Sequence, residues 1–131
     1  MIIDKVNISI PLDPVTKKNS QQIMINRATN RPFISPSVKY RHYERMCMLW
    51  LMKYRYQIDY AVNIKYLFYM RTKRKCDLTN LIEAIDDILV KAGVILDDNY
   101  SIVAGHDGSR VLYDKENPRT EIEITLMEGR K

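Results

Sequence analysis

Residues 74–99 read RKCDLTNLIEAIDDILVKAGVILDDN and set five aspartates and one glutamate directly behind Arg74 and Lys75. At about 100° per residue, Leu81, Ile85, Ile88 and Ala92 gather within roughly 60° of arc. Asn80, Glu83 and Asp87 gather on nearly the opposite side. The spacing predicts a helix over 78–92 with one apolar face, capped by Asp77 or Thr79. Gly93 falls where a left-handed residue ends a helix. A short apolar run, 94–96, then leads to Asp97 and Asp98, and a turn there can return the chain to the helix start. On helix pattern alone Glu83 and Asp87 read as a solvated face, and Asp86 as solvated too.

Working outward, 2–10 alternates and predicts a strand with Val6, Ile8 and Ile10 on one face, ended by Pro11. The segment 11–22 is a polar, turn-rich loop carrying Lys17, Lys18 and Asn19. Residues 23–25 and 32–34 suggest a hairpin around 26–31. Ser35 followed by Pro36 predicts a helix start, with the helix running to about residue 55. Its stripe of Tyr40, Tyr43, Cys47, Trp50, Leu51 and Tyr54 reads as core packing, and His42 as a surface or packing residue. Residues 60–70, rich in β-branched and aromatic side chains, predict a central strand. Further strands are expected over 100–104, 111–113 and 120–127, with His106, Asp107 and Gly108 as a hairpin turn between two of them. The fold class is therefore α+β (mixed α/β): two helices on a mixed sheet, in a single domain spanning 1–131.

Bulk composition narrows the function. The chain of 131 residues carries a formal charge of +5, which leans toward an anionic partner. The distribution says more. Residues 1–76 hold 15 Lys/Arg and 4 Asp/Glu, a net of +11, whereas 77–131 hold 6 and 12, a net of −6. One half suits phosphates and the other a cation. Cys47 and Cys76 stand far apart with no CxxC and no histidine cluster, which argues against zinc and suits a reducing cytoplasm. The alternating, charged N-terminus does not read as a signal peptide, and no stretch approaches the roughly 18–20 apolar residues that span a bilayer.

Carboxylates that converge raise one another's pKa unless a cation joins them. Hard oxygen ligands of this kind suit Mg²⁺, with Mn²⁺ possible, bound through one or two carboxylates plus substrate phosphate. The run 71–75, RTKRK, lies immediately upstream, where it can hold a phosphodiester.

The segments 74–81 (RKCDLTNL) and 91–98 (KAGVILDD) resemble the RusA family of Holliday junction resolvases. There a basic patch precedes an Asp-Leu-Asp-Asn-Leu motif, a helix follows, and an Ala-Gly turn leads to paired aspartates. The spacing from the first aspartate to the pair matches without gaps. The early loop with Lys17, Lys18, Asn19 and Ser20 and the last strand, reaching Glu128, are similar as well. The resemblance implies a small homodimeric endodeoxyribonuclease that cuts four-way DNA junctions with Mg²⁺ in recombination and repair. Such resolvases are often phage- or prophage-encoded.

By matching position the resemblance makes Asp77 and Asp98 metal-binding and catalytic, with Asp97 adjoining. Thr79 stands where the family has its second motif aspartate, and Glu83 where it has a lysine. One reading makes Glu83, supported by Asp87, the replacement ligand and third catalytic carboxylate. The other is a degenerate site that binds branched DNA without cutting it, and a nuclease for other branched DNA is a further alternative. Lys17, Lys18, Asn19, Lys73, Arg74, Lys75 and Asn80 are the expected DNA contacts.

Overall fold

The computed structural model describes residues 2–17 and 21–127. Its elements in chain order are β1 (Lys5–Ile10), β2 (Gln21–Asn26), β3 (Arg31–Pro36), α1 (Val38–Leu51) with a 3₁₀ turn (Met52–Tyr54), β4 (Val62–Met70), α2 (Leu78–Lys91), β5 (Val103–Gly105), β6 (Arg110–Tyr113) and β7 (Arg119–Leu126). The main sheet runs β1-β7-β4 with antiparallel pairing, and β5 and β6 both pair with β4 in parallel. β2 and β3 form a separate two-stranded sheet. The architecture is α+β with a mixed sheet.

Alternation makes the core. Val6, Ile8 and Ile10 of β1, Val62, Ile64, Tyr66 and Phe68 of β4, and Ile122 and Ile124 of β7 are all buried. They share one cluster with Tyr40, Tyr43, Cys47 and Leu51 of α1 and Leu81, Ala84, Ile85, Ile88 and Leu89 of α2. Most of the expected α1 stripe is buried, but Trp50 is exposed. Leu51 instead continues the stripe of Tyr40, Tyr43 and Cys47 at steps of three, four and four, and Trp50 lies one position off it.

The start of α1 differs from expectation. Ser35 and Pro36 end β3, paired with Gln22 and Gln21. The cap is Ser37, whose Oγ accepts a hydrogen bond from the Tyr40 N–H at 3.1 Å. Both serines suit a cap, and strand pairing claims the first. The end of α2 is as the glycine predicts. Gly93 sits at φ 79, its N–H donates to the Val90 carbonyl at 3.0 Å, and the Val94 N–H donates to the Leu89 carbonyl at 2.9 Å. This is a Schellman ending, with Val94 and Leu89 both buried beside it. From there Leu96 N–H bonds the Ile58 carbonyl at 2.9 Å, which fixes the chain beyond the buried Val94 and Ile95 and brings Asp98 to the outer row of α2.

The hairpin expected at 106–108 is not one. β5 and β6 run in the same direction, end to end along one side of β4, so the residues between them form an outward kink in an interrupted edge strand. Gly108, at φ 87, provides the bend that an Asp-Gly pair also gives a hairpin. Two β4 backbone groups would lose their partners at this kink, and side chains replace them. His106 Nδ1 donates to the Ile64 carbonyl at 2.9 Å, and the Tyr66 N–H donates to Ser109 Oγ at 3.0 Å.

Candidate functional site

The polar row on α2 is real. Asn80, Glu83, Ala84 and Asp87 line a pocket of about 160 Å³ together with Asp98 and Lys17. The apolar face of α2 is turned to the sheet, so the row necessarily faces out. Asp98 completes the pocket because the Schellman ending and the Ile58 bond turn the chain back along the helix. Asp77 stands at the N-cap position of α2 without a capping bond from its own side chain. Its Oδ2 instead accepts from Asn80 Nδ2 at 3.2 Å, which ties it to the pocket wall.

The carboxylates differ in their partners. Asp87 Oδ2 lies 3.4 Å from Lys17 Nζ and 3.3 Å from Lys91 Nζ, and Lys91 also reaches Glu44 at 3.0 Å. Asp97 is turned onto its own loop, accepting from the Asp98 N–H at 2.7 Å and from Asn99 Nδ2 at 3.0 Å. Those bonds hold its carboxyl below the usual range. Asp98 behaves oppositely. Desolvation pushes its pKa up, and a hydrogen bond that its protonated carboxyl donates to Asp97 and the nearby charges of Asp86 and Asp97 add to the rise. It is the pocket acid that a cation would most relieve.

The pocket's donors are hard oxygens, the chemistry that Mg²⁺ or Mn²⁺ prefers. Among the described residues no three of His, Cys, Asp and Glu sit close enough together to hold a metal ion between them.

The expected DNA contacts divide. Arg74 and Lys75 line a groove with Lys39 and Thr72. This groove abuts the acid pocket, since Thr16 and Leu81 face the groove while their neighbours Lys17 and Asn80 face the pocket. Lys73 lies over the Tyr113 ring at 5.0 Å. Lys17 is drawn into the acid pocket, with its ammonium 5.7 Å from the Tyr40 ring centre. Lys18 and Asn19 lie outside the described residues.

One cluster escaped the sequence reading. Asp86, expected to be solvated, is only 7% exposed. Its Oδ1 accepts from the buried Tyr66 hydroxyl at 2.5 Å, and its Oδ2 lies 2.9 Å from His106 Nε2. His106 Nδ1 must donate to the Ile64 carbonyl, so Nε2 donates to Asp86 when the ring is protonated, and this geometry favours the imidazolium. Burial alone would lower the His106 pKa, but the Asp86 hydrogen bond and charge, the Ile64 carbonyl and Asp107 outweigh it, and the net shift is upward. The helical wheel sets Asp86 about 40° from Ile82 and Val90, but about 60° from both Leu89 and Glu83, so it stands at the border of the apolar face.

Among the described residues no helix is long and apolar enough to cross a membrane. A comparison with curated proteins finds no match. The family model for Endodeoxyribonuclease RusA matches residues 11–125, which include the basic groove, every wall of the acid pocket and the helix between them. The chain belongs to the RusA family of endodeoxyribonucleases, enzymes that hydrolyse DNA.

Proposed function

We propose that the protein is a Mg²⁺-dependent, structure-specific endonuclease that resolves four-way DNA junctions as a homodimer, in recombination and repair. The observation that carries this reading is the acid pocket abutting a basic groove across the first turn of α2. Asp98 and Glu83, which line the pocket, would hold the ion directly, Asp77 would reach it through the ion's own waters, and Asp87 and Asp97 would support them from the pocket wall and the adjoining loop. When bound, Mg²⁺ supplies an acidified water and offsets charge on the phosphoryl group under attack.

The chain's own residues do the rest. Arg74 and Lys75, with Lys73 beside them, grip the phosphodiester backbone, so binding depends on salt more than on base sequence. Lys17 brings an ammonium into the pocket itself, held at 3.4 Å by Asp87, where a phosphate would meet it. Asn80, which lines the pocket, holds the neighbouring Asp77 carboxylate through its 3.2 Å bond. Glu83, one turn along α2 from Thr79, contributes a carboxylate to the same pocket, which supports its assignment as the replacement ligand. A two-fold dimer would set two such sites against two symmetry-related strands.

The test is Asp77→Asn on a synthetic four-way junction. Binding should persist while Mg²⁺-dependent cutting is lost. Cutting at the wild-type rate would refute the metal assignment.

A further inference from the structure

Among the described residues none of β2 or β3 lines the acid pocket or the basic groove, yet the ribbon is well formed. Its strands pair in register from Gln21 opposite Pro36 to Asn26 opposite Arg31. The tip has one defined shape. Asn26 Oδ1 accepts from the Ala28 N–H at 2.9 Å and the Thr29 N–H at 3.3 Å, and the Asn30 N–H donates to the Asn26 carbonyl at 2.7 Å. Asn30 closes the turn at φ 58, a conformation asparagine tolerates better than most residues. This tip presents Arg27 and Arg31, neither in an ion pair with a described residue.

The surface of the ribbon is unusual in two ways. Ile23 is 76% exposed, Ile25 64% and Phe33 46%, on a two-stranded sheet that is marginal without a partner. The charge is also one-sided. The ribbon, 21–36, holds Arg27 and Arg31 and no Asp or Glu. A surface both apolar and purely basic complements a polyanion that also offers apolar base faces. Six residues of strand reach about 20 Å at ~3.4 Å per residue, and a two-stranded ribbon fits the major groove of duplex DNA. The root of the ribbon is close to the acid pocket, since Lys17 lies four residues before Gln21 and Ser37 caps α1 directly after Pro36.

We propose that the β2–β3 ribbon is a DNA-gripping arm: Arg27 and Arg31 engage phosphates, and Phe33 packs on bases unstacked at a branch point. This rests on the reading that the substrate is branched DNA, and it assigns recognition of the branch to a part of the chain outside the acid pocket. Stacking on an exposed aromatic side chain tolerates any base sequence, as a branch-reading contact requires.

The experiment uses the full chain, a synthetic four-way junction and a linear duplex of the same arm sequence, with Ca²⁺ in place of Mg²⁺ to follow binding without cutting. In Arg27→Ala/Arg31→Ala, junction affinity should fall about tenfold or more, and the slope of log K against log salt should lessen by roughly 2. In Phe33→Ala the preference for junction over duplex should shrink, with sedimentation and melting temperature unchanged. An unchanged salt slope in the double variant overturns the proposal. So does a Phe33→Ala protein that sediments as monomer where the wild type is a dimer, because the apolar face would then be a subunit contact. A wild-type protein that binds junctions but never cuts them sinks the catalytic reading and leaves the arm to be judged on the slope alone.

Discussion

Asp86 and Asp87 are adjacent in sequence and live in different chemistries. Asp86 is buried, with both oxygens bonded by groups that the sheet holds in place, the buried Tyr66 hydroxyl and the half-buried His106 ring. Asp87 is on the rim, held by Lys17 and Lys91, two flexible ammonium groups that water also reaches. A step of about 100° around one helix separates the two settings. A carboxylate whose partners belong to rigid elements is given over to holding the fold. One whose partners are mobile cations can exchange them for another cation or release them to a phosphate. Asp98 is a third case, exposed like a rim acid yet with its pKa raised by desolvation and by the charges of Asp86 and Asp97.

The sharpest way to break this comparison is at Asp98. Asp98→Asn should lower junction cleavage by about a thousandfold, ~4 kcal/mol of transition-state stabilisation, while thermal melting without metal stays the same or rises slightly. A variant that melts early and still cuts would reverse the roles assigned to the two kinds of acid. Asp86→Ala should do the opposite, costing about 3 kcal/mol in denaturant unfolding because it strands the imidazolium and the Tyr66 hydroxyl.

The pH response separates them further. His106 has a folded pKa above its unfolded value. Its stabilising effect is therefore fully present below about pH 6.5 and is lost as pH rises through the folded pKa. Urea midpoints of the wild type should decline over that window, and those of His106→Gln should not. Asp87→Asn should have the smallest effect, under about 1 kcal/mol, since its ion pairs are open to solvent. A larger loss would show that the rim pairs hold the fold no less firmly than the buried one.

Much of this was legible in the residues, for identifiable reasons. The 3.6-residue period placed Leu81, Ile85, Ile88 and Ala92 inward and Asn80, Glu83 and Asp87 outward, and all seven lie as expected. Gly93 announced the helix end, because few other residues accept its φ cheaply. The return of Asp98 to the pocket followed from the short apolar run before it, of which Val94 and Ile95 are buried. What the chain hid were long-range partners. Nothing local to Asp86 indicates that Tyr66, twenty residues earlier, and His106, twenty later, converge on it. The Asp-Gly pair at 107 and 108 signalled a sharp bend correctly, but a bend serves a hairpin and an interrupted edge equally. Only the pairing of both flanking strands with β4 distinguishes them. The cap at Ser37 rather than Ser35 was a choice between two suitable residues, decided by strand pairing two positions upstream.

The kink between β5 and β6 also bears on how the protein behaves in a crowded solution. A flat outer strand would offer neighbouring chains a continuous row of unpaired amides and carbonyls, the template from which sheets grow between molecules. Here that row is cut into lengths of three and four residues by a bend that twists the border away from any straight partner. The same few residues that hold Asp86 in place thus keep this side of the sheet from recruiting strangers, and a substitution that straightened it would show first as aggregation during expression.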